Sequence, residues 1–238
     1  MLTVVLHLGT LLAVFIMFRR IIWDMVKEFI RVIADIFRFR NITKDMNDSR
    51  RMLFMVFIAT IPLIGAYFLK DIVEIISSDN DIIVEGICFF ITGLLLYTAF
   101  FRERGYKAIS DMKFYDALII GITQMIAVTP GISRSGSTTS VGALRGFKKE
   151  TVVTFSFILG IPAIFAAVAS EFISTSPQEI SFDIPMLIIG FGVSLAFGII
   201  TIALIRWLIK KERYIVFAYY LLIIGIVTIS LGLLERFL

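Results

Sequence analysis

Apolar runs of about twenty residues recur along the chain, at 2–23, 52–69, 82–101, 152–173, 186–209 and 215–234. Each is long enough for a helix to cross the roughly 30 Å hydrocarbon core of a bilayer. Residues 23–51 differ, mixing Arg, Lys, Asp and Glu with Trp23, Val26, Phe29, Ile30, Ile33, Ile36 and Phe37. Those apolar positions recur at helical spacing, which predicts a helix lying along the membrane surface. An acidic loop holds Asp71, Glu74, Asp79 and Asp81, and a basic loop holds Arg102, Arg104, Lys107 and Lys113. Residues 115–128 are apolar but too short to span. Residues 129–139 break that run, and 139–144 lead to Arg145, Lys148 and Lys149.

Charge decides how these pieces are threaded. Lys and Arg near span ends are expected on the cytoplasmic side. Residues 19–51 hold nine, 102–113 hold four, 145–149 hold three and 206–213 hold four. The other loops and ends hold only Lys70 and Arg236. This asymmetry is kept only if 114–147 enters from the cytoplasmic side, turns and returns. The expected fold is therefore an all-α polytopic membrane protein with six transmembrane helices and one re-entrant helical hairpin, both termini being extracytoplasmic. Residues 1–238 form a single integral membrane domain. Three spans separate equivalent points of 1–113 and 114–238, which is the arithmetic of an inverted repeat with a site near the midplane. Thr3-Val4-Val5 and Thr151-Val152-Val153 each open a span, a faint echo of that symmetry. The first repeat lacks the hairpin that symmetry assigns to it.

Composition narrows the chemistry. The 238 residues are 58% hydrophobic with mean hydropathy +0.94, which a soluble domain of this size would not carry. The net charge of +4 follows the loops and gives no reason to expect nucleic acid. Cys88 is the lone cysteine and His7 the lone histidine, so an intrachain disulfide and a multi-His metal site are excluded. The first run has neither a basic leader nor a small-residue cleavage site, so no cleavable signal peptide is expected.

The break at 129–139 is the chemical centre. Thr129-Pro130-Gly131-Ile132-Ser133-Arg134-Ser135-Gly136-Ser137-Thr138-Thr139 combines helix breakers, hydroxyls and one permanent cation at membrane depth. Such a segment is tolerated only where protein or a water-filled cavity surrounds it. Gly131 and Gly136 permit close-packed backbone N–H groups. A helix restarting near Ser135 would add free N–H donors and a positive dipole end. With the forked guanidinium of Arg134 and the hydroxyls of Ser133, Ser135, Ser137 and Thr138, these make an oxyanion or phosphate site. The blander reading is a packing kink whose Arg reaches a carboxylate on a neighbouring helix. Gln124, near the tip of the descending helix, is a candidate polar ligand. His7 is a candidate general base or a hydrogen-bonded bundle histidine. Glu85 and Glu171 read as solvated carboxylates at outer span ends.

Pro130-Gly131-Ile132-Ser133-Arg134-Ser135-Gly136-Ser137-Thr138 resembles the Pro-Gly-x-Ser-Arg-Ser-Gly-x-Thr motif of the undecaprenyl-diphosphate phosphatases of the bacitracin-resistance type. Gly121-Ile122-Thr123-Gln124, the segment from Leu8 to Val14 and Ile61-Pro62 resemble its context. The resemblance covers essentially the whole chain. It implies a multi-pass hydrolase of the bacterial plasma membrane that converts undecaprenyl diphosphate to undecaprenyl phosphate and inorganic phosphate, recycling the lipid carrier for cell-wall synthesis. It implies that Arg134 binds the phosphoryl group, that Ser133, Ser135 and Thr138 hydrogen-bond it, and that Mg²⁺ or Ca²⁺ assists, with ligands not identifiable in this chain. The implied partners are the polyprenyl diphosphate and membrane lipids, with a homo-oligomer also expected. The alternative is a non-hydrolytic inverted-repeat transporter or binder of lipid phosphate.

One departure stands out. Family members begin with a Glu-rich helix and hairpin followed by Ser-Ser-x-Gly-His, and this sequence has no such segment. The expectation is that Met1 is an internal start in a longer reading frame. A truncated gene, or a site completed in an oligomer, are the alternatives, and in-frame translation of the DNA upstream of Met1 distinguishes them.

Overall fold

In the computed structural model, residues 2–42, 46–69, 73, 81–102, 105–174 and 184–237 are described. Met1, Lys44, Lys70, Arg104 and most of the expected acidic loop (Asp71, Glu74 and Asp79) lie outside them. Regular structure among the described residues is helical, apart from one isolated bridge between Lys107 and Phe147.

Helix α1 (Leu2–Met17) meets α2 (Arg19–Phe37) at an 88° bend. The first apolar run is thus cut at Phe18, because Arg19 and Arg20 cannot continue into hydrocarbon. α3 (Asp48–Thr60) passes into a 3₁₀ stretch (Ile61–Leu69), where Pro62 has no N–H to donate one turn back. Then come α4 (Ile83–Phe101), α5 (Phe114–Ile126), α6 (Arg134–Leu144), α7 (Lys149–Ser174), α8 (Ile184–Lys210) and α9 (Ile215–Phe237). Five helices among the described residues are long and apolar enough to cross a membrane, or up to six if the bent α1–α2 pair is one span. This is an all-α polytopic membrane fold.

The chain divides into two compact units, Met1–Leu53 with Phe157–Trp207, and Phe54–Ser156 with Leu208–Leu238. In the first unit, Ala13, Val14, Phe18 and Ile202 form a buried cluster, with Phe18 stacked on Phe157 at 5.7 Å. Ser194 Oγ donates to the Leu6 carbonyl at 2.6 Å, tying α8 to α1. The helix α2 turns an apolar face outward, with Trp23 62%, Ile30 61% and Phe37 80% exposed. That exposed face is the one the spacing assigns to the membrane surface. Its inner face carries Met25, Val32 and a buried carboxylate, Glu28.

The second unit is built on α4 and α9, which approach backbone to backbone. A Cβ on Gly225 would stand 2.8 Å from Phe90 N, and one on Gly86 2.9 Å from Ile229 N. Small residues are how helices pack where both solvent and core are apolar. The helices α5 and α6 run about 20 Å and 17 Å by their rise per residue, so neither crosses a bilayer. Their feet are fastened together. Lys107 N donates to Gly146 O at 3.1 Å and Lys148 N to Lys107 O at 3.0 Å, while Lys107 Nζ donates to Arg145 O at 3.0 Å. A helical pair that is too short to span and joined at its base is the geometry of a re-entrant hairpin.

Candidate functional site

The hairpin base rests on Asp116, which is fully buried. Its Oδ2 accepts from Lys113 N at 3.1 Å, capping α5. Its Oδ1 accepts from Arg145 Nε at 2.9 Å and pairs with Arg145 Nη2 at 2.8 Å. One carboxylate therefore satisfies the start of α5 and holds the end of α6. Charge-assisted bonds of this fork type are the stronger ones in a protein, so the base fixes where the tip lies.

At the tip, the chain leaves α5 through two turns. Thr129 N bonds Ile126 O, and Ile132 N bonds Thr129 O. Gly131 adopts φ +84°, a left-handed conformation that costs residues with a Cβ about 1–2 kcal/mol. Space forbids a side chain as well. A Cβ there would stand 2.7 Å from the Glu85 carbonyl oxygen and 2.8 Å from Cys88 Cβ. Gly131→Ala is expected to lower the unfolding midpoint and abolish turnover together, read by thermal unfolding and phosphate release.

The turn is seated on one stripe of α4. Glu85, Cys88 and Thr92 recur at helical spacing; Gly131 packs on the first two. Ser133 N donates to Thr92 Oγ1 at 3.3 Å, and Thr92 Oγ1 donates to Cys88 O at 2.9 Å. The site thus lies between the first turn and the middle of α4.

Ser133 is the N-cap of α6, its Oγ accepting from Gly136 N at 3.2 Å. Its hydroxyl hydrogen stays free to donate. Helix geometry leaves the N–H groups of Arg134 and Ser135 without intrahelical acceptors. Arg134 is half-buried, and among the described residues its guanidinium makes no ion pair and no hydrogen bond. The packing-kink reading needs a carboxylate there, and among the described residues none pairs with it. Ser135 is half-buried beside it. Ser137 and Thr138 are buried. Thr138 Oγ1 donates to Arg134 O at 2.8 Å and lies 2.6 Å from Ser156 Oγ on α7. In this geometry Thr138 holds the first turn of α6. The open end carries Arg134, Ser135 and the free donor of Ser133. Gln124 is buried in the same unit. His7 belongs to the other unit, where its Nδ1 lies 2.9 Å from Thr3 O.

A half-buried cation without a counter-ion among the described residues, beside a helix N-terminus and hydroxyl donors, has the chemistry to hold an anion. A family model described as bacitracin resistance protein BacA matches residues 1–227. The chain belongs to this family. Three relatives show how far the similarity runs. The undecaprenyl-diphosphatase of Alkaliphilus metalliredigens is 39% identical over 236 residues, 98% of this chain and 84% of that protein. The undecaprenyl-diphosphatase of Methanosphaera stadtmanae is 36% identical over 96% of this chain and 83% of its own length. Undecaprenyl-diphosphatase 3 of Bacillus cereus is 34% identical over 98% of this chain and 82% of its own length.

For this BacA-family chain a divalent ion is expected from the resemblance. Among the described residues no group of three or more His, Cys, Asp or Glu could hold one. The donors at the turn are a cation, hydroxyls and N–H groups, which suit an anion, and Glu85 on the α4 stripe beneath it is by itself too few ligands for a metal ion. The described residues at the turn do not fit a metal centre.

Three residues escaped sequence reasoning. Thr92 and Ser156 anchor the turn and the first turn of α6 from other helices, and nothing local marks them. Glu85, expected as a solvated carboxylate, is half-buried. It sits on the turn-bearing stripe of α4, with Oε2 buried and without a hydrogen-bond partner. The spacing Glu85–Cys88–Thr92 was the available signal.

Proposed function

We propose that this chain hydrolyses undecaprenyl diphosphate to undecaprenyl phosphate and inorganic phosphate. The observation that carries the reading is the half-buried Arg134 guanidinium on the first turn of α6, which has no counter-ion among the described residues. The names of the relatives support it. In this reading the terminal phosphoryl group lies at the open end of α6. Arg134 spans two of its oxygens, and the Ser135 hydroxyl, the Ser133 hydroxyl and the N–H groups of Arg134 and Ser135 donate to it. Charge that develops on the transferring group meets fixed donors in a low-dielectric setting, where they need no reorganisation. The apolar helices leave the polyprenyl tail in lipid.

The same proposal includes the inverted repeat, 1–113 against 114–238, with the basic clusters cytoplasmic and both termini extracytoplasmic. Phosphate release from undecaprenyl diphosphate tests the activity. The assay is run on the purified chain and on a version extended by the in-frame coding sequence upstream of Met1. Release from either supports the reading, and no release from both rejects it.

A further inference from the structure

Gln124 is 1% exposed, and among the described residues neither its Nε2 nor its Oε1 has a hydrogen-bond partner. A carboxamide can make up to four hydrogen bonds, and leaving a buried one unmade is costly. A leucine would fill the same volume without that cost.

Its place on the hairpin says what the amide faces. One turn earlier on α5, Ile120 reaches Gly142 of α6, and Gly121 lies against the backbone of Ala59 on α3. Gln124 continues that inward face, in the last turn of α5 and seven residues before the Gly131–Ser133 bend. On α6, Gly142, Thr138 and Ser135 share a face by helical spacing. The helix α7 meets this face at Gly142 through Val152 and at Thr138 through Ser156. The helices α5 and α6 run antiparallel. Moving one turn tipward from Ile120 therefore brings Gln124 level with Thr138, one turn below Ser135 and the Arg134 turn.

Both ends of the amide are unpaired, and that limits the ligand. A phosphoryl group offers acceptors and satisfies only the Nε2 hydrogens. The Oε1 acceptor requires a donor, and water is the donor that hydrolysis brings. We infer that Gln124 is a catalytic residue whose carboxamide joins a phosphoryl oxygen, through Nε2–H, to the hydrolytic water, through Oε1. In the step it serves, the water oxygen bonds to the terminal phosphorus. The bond from phosphorus to the bridging oxygen breaks, its electron pair staying on the lipid phosphate. The water proton leaves on a phosphate oxygen of the products. This role rests on the diphosphatase reading above.

The experiment compares the wild-type full chain with Gln124→Leu, and with Gln124→Met as an unbranched control for misfolding. Thermal midpoint and the kcat and KM for undecaprenyl diphosphate are measured. Both variants are expected to keep or raise the midpoint, since a buried unpaired amide is gone. Their kcat is expected to fall by on the order of 10²-fold, as for loss of one phosphoryl-facing donor, with KM little changed. Wild-type kcat in the variants, or a kcat that falls only with the folded fraction, overturns the role of Gln124. Absence of phosphate release from both the wild-type chain and its upstream-extended version removes the diphosphatase reading and this inference with it. Normal release with an unaffected Gln124→Leu removes the inference alone.

Discussion

Arg134→Ala is expected to lower kcat for undecaprenyl diphosphate by about 10²-fold or more while leaving the thermal midpoint unchanged or raised. The first half follows from phosphoryl transfer, where catalysis is mostly positioning and charge stabilisation, and a lost charge-stabilising donor costs about that much. The second half follows from the missing counter-ion. A cation that is half-buried without an ion pair or hydrogen bond pays desolvation and returns nothing to the fold. A structural arginine would behave the other way, since removing one member of a buried pair is strongly destabilising. Arg134→Lys sharpens the test. Lysine keeps the charge but not the planar fork that spans two phosphoryl oxygens, so only partial recovery is expected. Turnover within a few-fold of wild type in Arg134→Ala would remove Arg134 from the phosphoryl site.

The helices were legible because the bilayer imposes one rule, that backbone groups must be satisfied within the span. Apolar length alone therefore located α4, α7, α8 and α9. It misplaced the end of α1, since the run to Trp23 hid the bend that Arg19 and Arg20 force at Phe18. The turn was legible for a different reason. Pro130, Gly131 and Gly136 break a helix in any context, and a lone Arg among hydroxyls has few uses at that depth. What stayed hidden is which partner each hydroxyl takes. Thr138 reads as a phosphate ligand in the motif, yet its Oγ1 is occupied by Arg134 O and Ser156 Oγ. That depends on α7 crossing α6 at one level, which no local pattern encodes. The packing of Glu85 was hidden in the same way, its neighbour being a loop forty-six residues further on.

The basic segment 19–51 shows the other kind of hidden feature. As a sequence it reads as an anchor for anionic headgroups, and several of its charges serve the interior instead. Glu28 and Arg50 are 3% and 5% exposed. Glu28 Oε2 accepts from Arg50 Nε at 3.0 Å, and its Oε1 accepts from Asn47 Nδ2 at 2.9 Å and from Arg31. Arg50 Nη2 donates to Asp35 at 3.0 Å and Nη1 to Ile42 O at 3.3 Å. Asn47 Oδ1 accepts from Arg50 N at 2.8 Å. The network joins α2 to the start of α3.

Glu28→Ala is expected to destabilise the protein by about 3–5 kcal/mol, because it leaves the Arg50 charge buried with Asp35 as its one remaining carboxylate among the described residues. A double replacement, Glu28→Met with Arg50→Met, is expected to recover most of that loss, since an apolar pair carries no desolvation cost. The pair separates the strength of the interaction from the penalty of breaking it, which single variants confuse. Acid should act as the alanine variant does. Burial pushes the Glu28 carboxyl up, but hydrogen bonds from Asn47, Arg50 and Arg31 outweigh it and hold it below its ordinary 4.5. A carboxyl depressed on folding stabilises at pH values above its unfolded pKa, and that contribution is lost as the pH falls from about 4.5 through the folded value. Unfolding curves in detergent at neutral pH and at successive steps below 4.5 read both effects. Glu28→Ala should flatten the acid dependence as well as lower the midpoint. A loss under about 1 kcal/mol at neutral pH, the range of exposed ion pairs, would show that solvent reaches this network and that α2 is held by its apolar contacts alone.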